Sequence, residues 1–266
     1  MSDLDRIVAA VAASKKYRSV CAETIRRIAE DEMANHDDVK TAIKATKRRL
    51  HQVYGAFEWA VDYEAAYERL QLAYETGLET EIKAASRDVL SLHSSTRERL
   101  PLLDCFYAEI FQATGQPAAL LDLGCGLNPI ALPWMGLPSE TRYTLIDIDA
   151  ERIDFLNRYL ALAARPPLAR CQDVLLQPPP EADVALLLKM SPSLERQESG
   201  ATLRLLDHIA APFVVLSYAL KSLGGREKGM VDHYDRQFRS LAGDRNWSIT
   251  RLAFETELVF VVERRA

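Results

Sequence analysis

The apolar residues of this 266-residue chain change period at Gly115, and that change constrains the fold more than any other feature. From Leu4 to Glu109 they recur at three-to-four spacing, as in Ile7, Val8 and Val11 or Ile25, Ile28 and Ala29, which predicts helices. Further helices are expected over Asp38 to Tyr54, Tyr63 to Glu75, Glu79 to Leu92 and Ser95 to Ala113, the last opened by a capping box of Ser95 and Glu98. Beyond Gly115, short apolar runs at 118–123, 143–148, 183–188, 212–217 and 257–262 alternate with helical or turn-rich stretches. Four of these runs read as buried parallel strands, while elements at about 247–253 and 257–262 leave no room for a helix between them and predict an antiparallel hairpin. The expected division is an all-helical domain over residues 1–113 and an α/β domain with a seven-stranded sheet over 114–266.

The turn after the first strand reads L-D-L-G-C-G-L-N-P, Leu121 to Pro129. Gly124 and Gly126 permit a tight turn and a close backbone approach to a nucleotide. Pro129 stands where a dinucleotide fingerprint has its third glycine, which argues against NAD. Twenty-five residues after Asp122, Asp147 ends a second strand in Y-T-L-I-D, placed to accept both hydroxyls of a ribose, and 26 residues later comes Asp173 in C-Q-D. Singly, each acid reads equally well as a turn residue or helix cap. As an ordered set they describe a Rossmann-like, class I S-adenosylmethionine site, with Asp122 near the methionine amine, Asp147 at the ribose and Asp173 at the adenine amino group.

The fourth strand ends in K-M-S-P-S-L-E, Lys189 to Glu195, on the side where such a fold presents its methyl group. No N-P-P-Y-like turn is present to align an exocyclic amine, so a ring nitrogen is the expected acceptor. Its free lone pair needs alignment and a favourable field, not a general base. Glu195 and Asp173 would supply that field. The ordinary readings are an ion pair that closes a strand for Lys189 and a first-turn acid of a helix for Glu195.

A net charge of −5 excludes a uniformly basic surface, but the basic residues cluster. From Val39 to Phe57 there is no acid, while Lys40, Lys44, Lys47, Arg48 and Arg49 are all present, and Lys15, Lys16, Arg18, Arg26 and Arg27 form a second group. A polyanionic partner would relieve their mutual repulsion; a solvated helix face is the alternative. K-S-L-G-G-R-E-K, with Lys221, Arg226 and Lys228, reads as a basic substrate loop after a strand end or as an ordinary turn. Cys21, Cys105, Cys125 and Cys171 have no metal or disulfide spacing, so reduced thiols and no metal are expected. With no membrane-length apolar run and no basic-then-apolar leader, the expected location is the cytoplasm, with no membrane partner.

Together these segments resemble the aminoglycoside-resistance 16S rRNA (guanine-1405 N7) methyltransferases. The likeness rests on A-S-K-K-Y-R (13–18), T-I-R-R-I (24–28), S-L-H-S-S-T-R-E-R-L (91–100), G-C-G-L-N-P (124–129), Q-D-V (172–174), K-M-S-P-S-L-E-R (189–196), S-L-G-G-R-E-K-G-M (222–230) and E-T-E-L-V (255–259). It implies a helical rRNA-binding domain on a methyltransferase domain, with the decoding region of the 30S subunit as partner and S-adenosylmethionine as cofactor. It further implies Arg99 at the methionine carboxylate with His93 and Ser94 nearby, and Lys189 and Glu195 in the active site. Resistance to 4,6-disubstituted deoxystreptamines such as gentamicin and kanamycin would follow. The competing expectations are a small-molecule methyltransferase with a helical lid, methylation of a neighbouring 16S rRNA adenine, and a cofactor-binding scaffold without turnover.

Overall fold

The structure is a computed structural model and describes residues 1–55, 61–220, 230–243 and 245–264. Lys221, Arg226 and Lys228 lie outside the described residues. The chain begins with α1 (Asp3–Ala12), α2 (Ala22–Ala34), α3 (Val39–Leu50), α4 (Tyr63–Thr76), α5 (Glu79–Leu90), α6 (Ser94–Arg97) and α7 (Leu103–Thr114). The alternating part follows as β1 (Ala119–Leu123), α8 (Leu132–Met135), β2 (Arg142–Asp147), α9 (Ala150–Leu162), β3 (Ala169–Cys171), β4 (Val184–Leu188), α10 (Ser191–Gln197), α11 (Ala201–His208), β5 (Phe213–Ala219), α12 (Met230–Ala242), β6 (Trp247–Ala253) and β7 (Glu257–Arg264). Among the described residues the sheet has seven strands in the order β3-β2-β1-β4-β5-β7-β6, with β7 antiparallel to both β5 and β6. The closing hairpin expected from the sequence is therefore present.

Local chemistry sets the helix starts. Ser2 and Asp5 form a reciprocal capping box on α1, while Asp38, Asp62 and Asp149 each accept a backbone N–H as the N-cap of α3, α4 and α9. The helix expected over Ser95 to Ala113 is corrected. Pro101 interrupts it, leaving a short α6, a 3-10 turn over Leu100–Leu102, and α7. The expected capping box is absent too: α6 starts one residue earlier, Ser95 Oγ bonds His93 Nδ1, and Glu98 bonds Lys189. Long-range partners outcompeted the local motif.

Packing divides the helices in a way that positions the site. Leu70, Val89, Phe106 and Ile110 of α4 to α7 share one core with Leu120, Tyr143 and Val184 on a face of the sheet, each side chain fully buried. Leu205 of α11 and Phe238 of α12 cover the other face against Leu121, Ile146, Val214 and Phe260. Burying one such side chain contributes about 1.5–3 kcal/mol. By contrast α1 to α3 keep a separate core of Ile7, Val11, Ile25, Ile28 and Leu50. They meet the sheet through largely polar contacts at the ends of β2 and β3: Cys21 N–H donates to Ile148 O, Ala150 N–H to Ser19 O, and Asp173 N–H to Glu23.

That docking also overturns the expectation of unpaired thiols. Cys21 and Cys171, 150 residues apart, form a disulfide with Cα atoms 6.3 Å apart, and Cys105 and Cys125 are free. Sequence spacing is silent on such a pair, because only the approach of α2 to β3 brings it together. Among the described residues no helix is long and apolar enough to cross a membrane, and no cluster of His, Cys, Asp and Glu is placed to hold a metal ion.

Candidate active site

A cavity of about 370 Å³ opens at the C-terminal ends of β1, β2 and β4. That is where a parallel sheet changes the direction of its crossovers and leaves a crevice. Gly124 and Gly126, at φ of +59° and +52°, turn the chain back after β1. A Cβ on Gly124 would stand 3.0 Å from Met190 Sδ, so the turn and the β4 end approach each other closely. Gly126 N–H donates to Asp147 Oδ2 at 2.9 Å, and the other oxygen of Asp147 accepts from Asp149 N–H and Arg152 Nη1. Asp147 thus faces the cavity in a fixed orientation, with Oδ2 keeping one lone pair to accept a further bond. Asp173 lines the same cavity; its Oδ1 takes Leu175 N–H and its Oδ2 the Nε of Arg27 at 2.9 Å. Ile148, Val174, Leu175 and Leu188 supply apolar wall.

His93 and Ser94 line the same cavity, His93 close to Gly126 of this turn. Burial, reinforced by the positive charges of Arg152, Lys189, Arg97 and Arg99, pushes the His93 imidazole down to about 3, so it is neutral under working conditions. Lys189 is also on the wall, in the left-handed region at φ +58°, a conformation that costs about 1–3 kcal/mol and persists only where the surroundings impose it. Here its N–H donates to Ser217 O and Oγ, and its Nζ to Ser95 O at 3.0 Å and Glu98 Oε2 at 2.8 Å, with Glu257 at 3.4 Å.

Three expected site residues lie elsewhere. Arg99 and Asp122 are not on the cavity wall but in a buried polar network joined to Asn128, just after the glycine turn. Arg99 makes a two-pronged pair with Glu257 at 2.6 and 3.0 Å, donates to Asn128 Oδ1 at 2.6 Å, and packs over the Phe106 ring. Asp122 Oδ2 accepts from Asn128 Nδ2 and Tyr143 OH, and Tyr107 OH donates to Asn128. Burial raises the Asp122 carboxyl to about 7. Burial also opposes charge on Glu257, yet Arg99 and Lys189 win and hold it below the usual carboxylate range. Glu195 is the third: it lies late in α10, not in a first turn, and its carboxylate accepts the N–H groups of Gly200 and Thr202 at the start of α11, so neither the first-turn reading nor a place on the cavity wall describes it.

The basic residues divide similarly. Lys15, Lys16, Arg18, Arg26 and Arg48 are exposed and Lys47 is half-buried; Lys16 bonds His51, Arg18 pairs with Glu151, and Arg26 pairs with Asp5. Exposed pairs of this kind are worth little and exchange readily for a better anion. Arg27 differs. It is engaged by Asp173 and by Gln197 Oε1 at 2.7 Å, and so ties α2 to the cavity rim; Arg49 likewise bonds Gln197 O, Asp31 and Glu32.

Sequence reasoning missed Glu98, Gln172, Met190, Arg196 and Tyr234, all on the cavity wall. Glu98, Gln172, Met190 and Arg196 each adjoin an expected site residue in the chain, and that adjacency was their signal; Tyr234 on α12 had none.

Comparison with known proteins accords with this geometry. The family described as ribosomal RNA methyltransferase (FmrO) matches residues 13–261. The chain is similar to the 16S rRNA (guanine(1405)-N(7))-methyltransferase of Micromonospora rosea, 41% identical over 98% of this chain and 97% of that one. It is also similar to the protein of the same name from Serratia marcescens, 34% identical over 98% and 99%. Among solved structures, that of the 16S rRNA methyltransferase RmtF in complex with S-adenosyl-L-homocysteine superposes with a TM-score of 0.84 at 36% identity, covering 100% of this chain and 99% of that one.

Proposed function

Since the chain belongs to the FmrO family of ribosomal RNA methyltransferases, we propose that the cavity at the ends of β1, β2 and β4 is the site where it methylates guanine 1405 within the decoding region of the assembled 30S subunit, in the cytoplasm. The enzyme is a 16S rRNA (guanine(1405)-N(7))-methyltransferase that uses S-adenosyl-L-methionine. The observation that carries the reading is the fixed Asp147 carboxylate at a glycine turn on the wall of this cavity, in a chain matched nearly end to end.

The residues present suit that cofactor: a carboxylate for ribose hydroxyls, apolar walls for a flat base and a thioether, and a turn without side chains where the backbone must come close. When bound, it supplies an electrophilic methyl group on a sulfonium. Asp147 would hold the ribose, and Asp173, steadied by Arg27, would lie at the adenine. Neutral His93 would form part of the floor without adding a positive charge against the sulfonium. Arg99 would act indirectly, holding Asn128 and Glu257 and, through Glu257, Lys189. Guanine N7 already carries its lone pair, so no residue has to take up a proton, and Glu98, on the cavity wall and bonded to Lys189, offers a carboxylate to the positive charge the purine gains.

Wild-type enzyme incubated with 30S subunits and labelled cofactor should incorporate one methyl group, with borohydride and aniline cleavage at guanine 1405. Incorporation without cleavage there would shift the reading to another nucleotide, such as a neighbouring adenine; no incorporation into 30S would favour a small-molecule substrate or a scaffold. A cation at N7 removes a major-groove acceptor, so cells expressing the enzyme should resist gentamicin and kanamycin and stay sensitive to neomycin.

Asp147→Ala should weaken cofactor binding by about 1–3 kcal/mol, the range for a charge-assisted acceptor. Calorimetry on the folded variant measures it, and unchanged affinity would remove Asp147 from the ribose. For the RNA, we assign phosphate contacts to Lys15, Lys16, Arg18, Arg26, Lys47 and Arg48, and to the α1 to α3 unit as a whole. Glutamate at Lys15 and Lys16, or at Lys47 and Arg48, should weaken 30S binding and lower its salt slope by about one for each phosphate no longer neutralised, leaving cofactor binding intact. An unaltered salt slope would return these residues to a solvated face.

A further inference from the structure

In A-form RNA the major-groove edge that carries guanine N7 lies in a deep, narrow groove that side chains cannot read. A cavity at the strand ends can therefore act on N7 only if the base leaves its stack, and an extruded base needs a flat surface to replace its lost neighbours. Among the described residues of the cavity wall the rings are His93 and Tyr234. His93 lies against the glycine turn, where a Cβ on Gly126 would meet it at 3.6 Å, at the end assigned to the cofactor. Tyr234, on α12, lines the cavity together with Ala219 at the end of β5. Its ring is half-buried and stacked on Tyr218, with centroids 4.7 Å apart and planes 25° apart. Tyr218 is itself buried and braced edge-on by Phe260 at 6.0 Å. One face of the ring is thus stacked on Tyr218, which Phe260 holds in turn.

We propose that Tyr234 is the platform on which the extruded guanine stacks while its N7 is methylated. The proposal rests on the reading given above for this cavity. N7 uses its lone pair to form the new N–C bond, the electrons of the broken C–S bond stay on sulfur, and the positive charge passes to the purine; no proton moves. An electron-rich ring face suits that charge better than an apolar side chain of equal bulk.

The test compares Tyr234→Phe with Tyr234→Leu and Tyr234→Met in 30S methylation, alongside 30S affinity without cofactor and the melting temperature. Phe should keep turnover within about threefold of wild type. Leu and Met should lose about 5- to 150-fold, the worth of one base–aromatic stack, with docking affinity and melting temperature held. Turnover in Leu or Met within twofold of wild type would overturn the proposal, as would a Phe variant as impaired as they are, or a loss confined to docking or to stability. Failure of the wild type to methylate guanine 1405 in the same assay would instead overturn the reading on which the proposal stands.

Discussion

Glu257→Ala should destabilise the folded protein by about 3–5 kcal/mol, the range for breaking a buried ion pair by removing one partner. Glu257 is fully buried, accepts both prongs of Arg99 and the hydroxyl of Ser217 at 2.5 Å, and stands 3.4 Å from Lys189 Nζ. Without it the buried Arg99 charge loses both carboxylate bonds and keeps Asn128, Tyr107 and an aromatic face. For a chain of this size the melting temperature should fall by roughly 6–20 °C. Glu257→Gln, which keeps the shape and one acceptor, should cost less. A loss below about 1 kcal/mol for the alanine variant would show that Arg99 finds another partner. The sign of the acid response follows: because the folded protein holds this carboxyl below its ordinary range, its contribution is present above about pH 4.3 and is lost as the pH falls through the folded value.

Asp122 acts in the opposite direction. Burial raises its carboxyl to about 7, against about 3.9 in an unfolded chain. Between those values the folded state keeps a proton that the unfolded state has released. This component of stability is therefore fully present below about pH 4 and is lost as the pH rises through about 7, a swing of about 4 kcal/mol. Asp122→Asn removes the titration and keeps an acceptor for Asn128 and Tyr143. Denaturant unfolding at pH 4.5 and 7.5 should show the variant gaining on the wild type as the pH rises; a difference constant across that range would mean that Asp122 titrates normally.

The fold was legible wherever a local pattern has one physical solution. The runs at 118–123, 143–148, 183–188 and 212–217 became β1, β2, β4 and β5, because an apolar run between turn signals can satisfy its backbone only in a buried sheet. Asp147 and Lys189 were legible for a related reason: each terminates a strand, and strand ends in this topology converge on one crevice. What misled was local grammar with a competing long-range partner. Ser95 and Glu98 have the spacing of a capping box, but His93 and Lys189 bind them first. Glu195 belongs to the segment that the sequence suggests for the active site, yet the N–H groups of Gly200 and Thr202 at the head of α11 take its carboxylate.

By itself, then, the sequence determined the period of each element, the position of the glycine turn, the strand-end acids and the charge that α1 to α3 carry, since all of these depend on residues a few positions apart. Tertiary structure alone decided the rest. Arg99 is joined to Glu257 across 158 residues, Cys21 to Cys171 across 150, and Arg27 to Asp173 across 146. Whether a charged side chain lines the cavity or is held in a buried network depends on which distant group reaches it first. A buried charge must find its counter-charge to offset desolvation, and that search is settled by the packing of whole helices on the sheet, not by spacing along the chain.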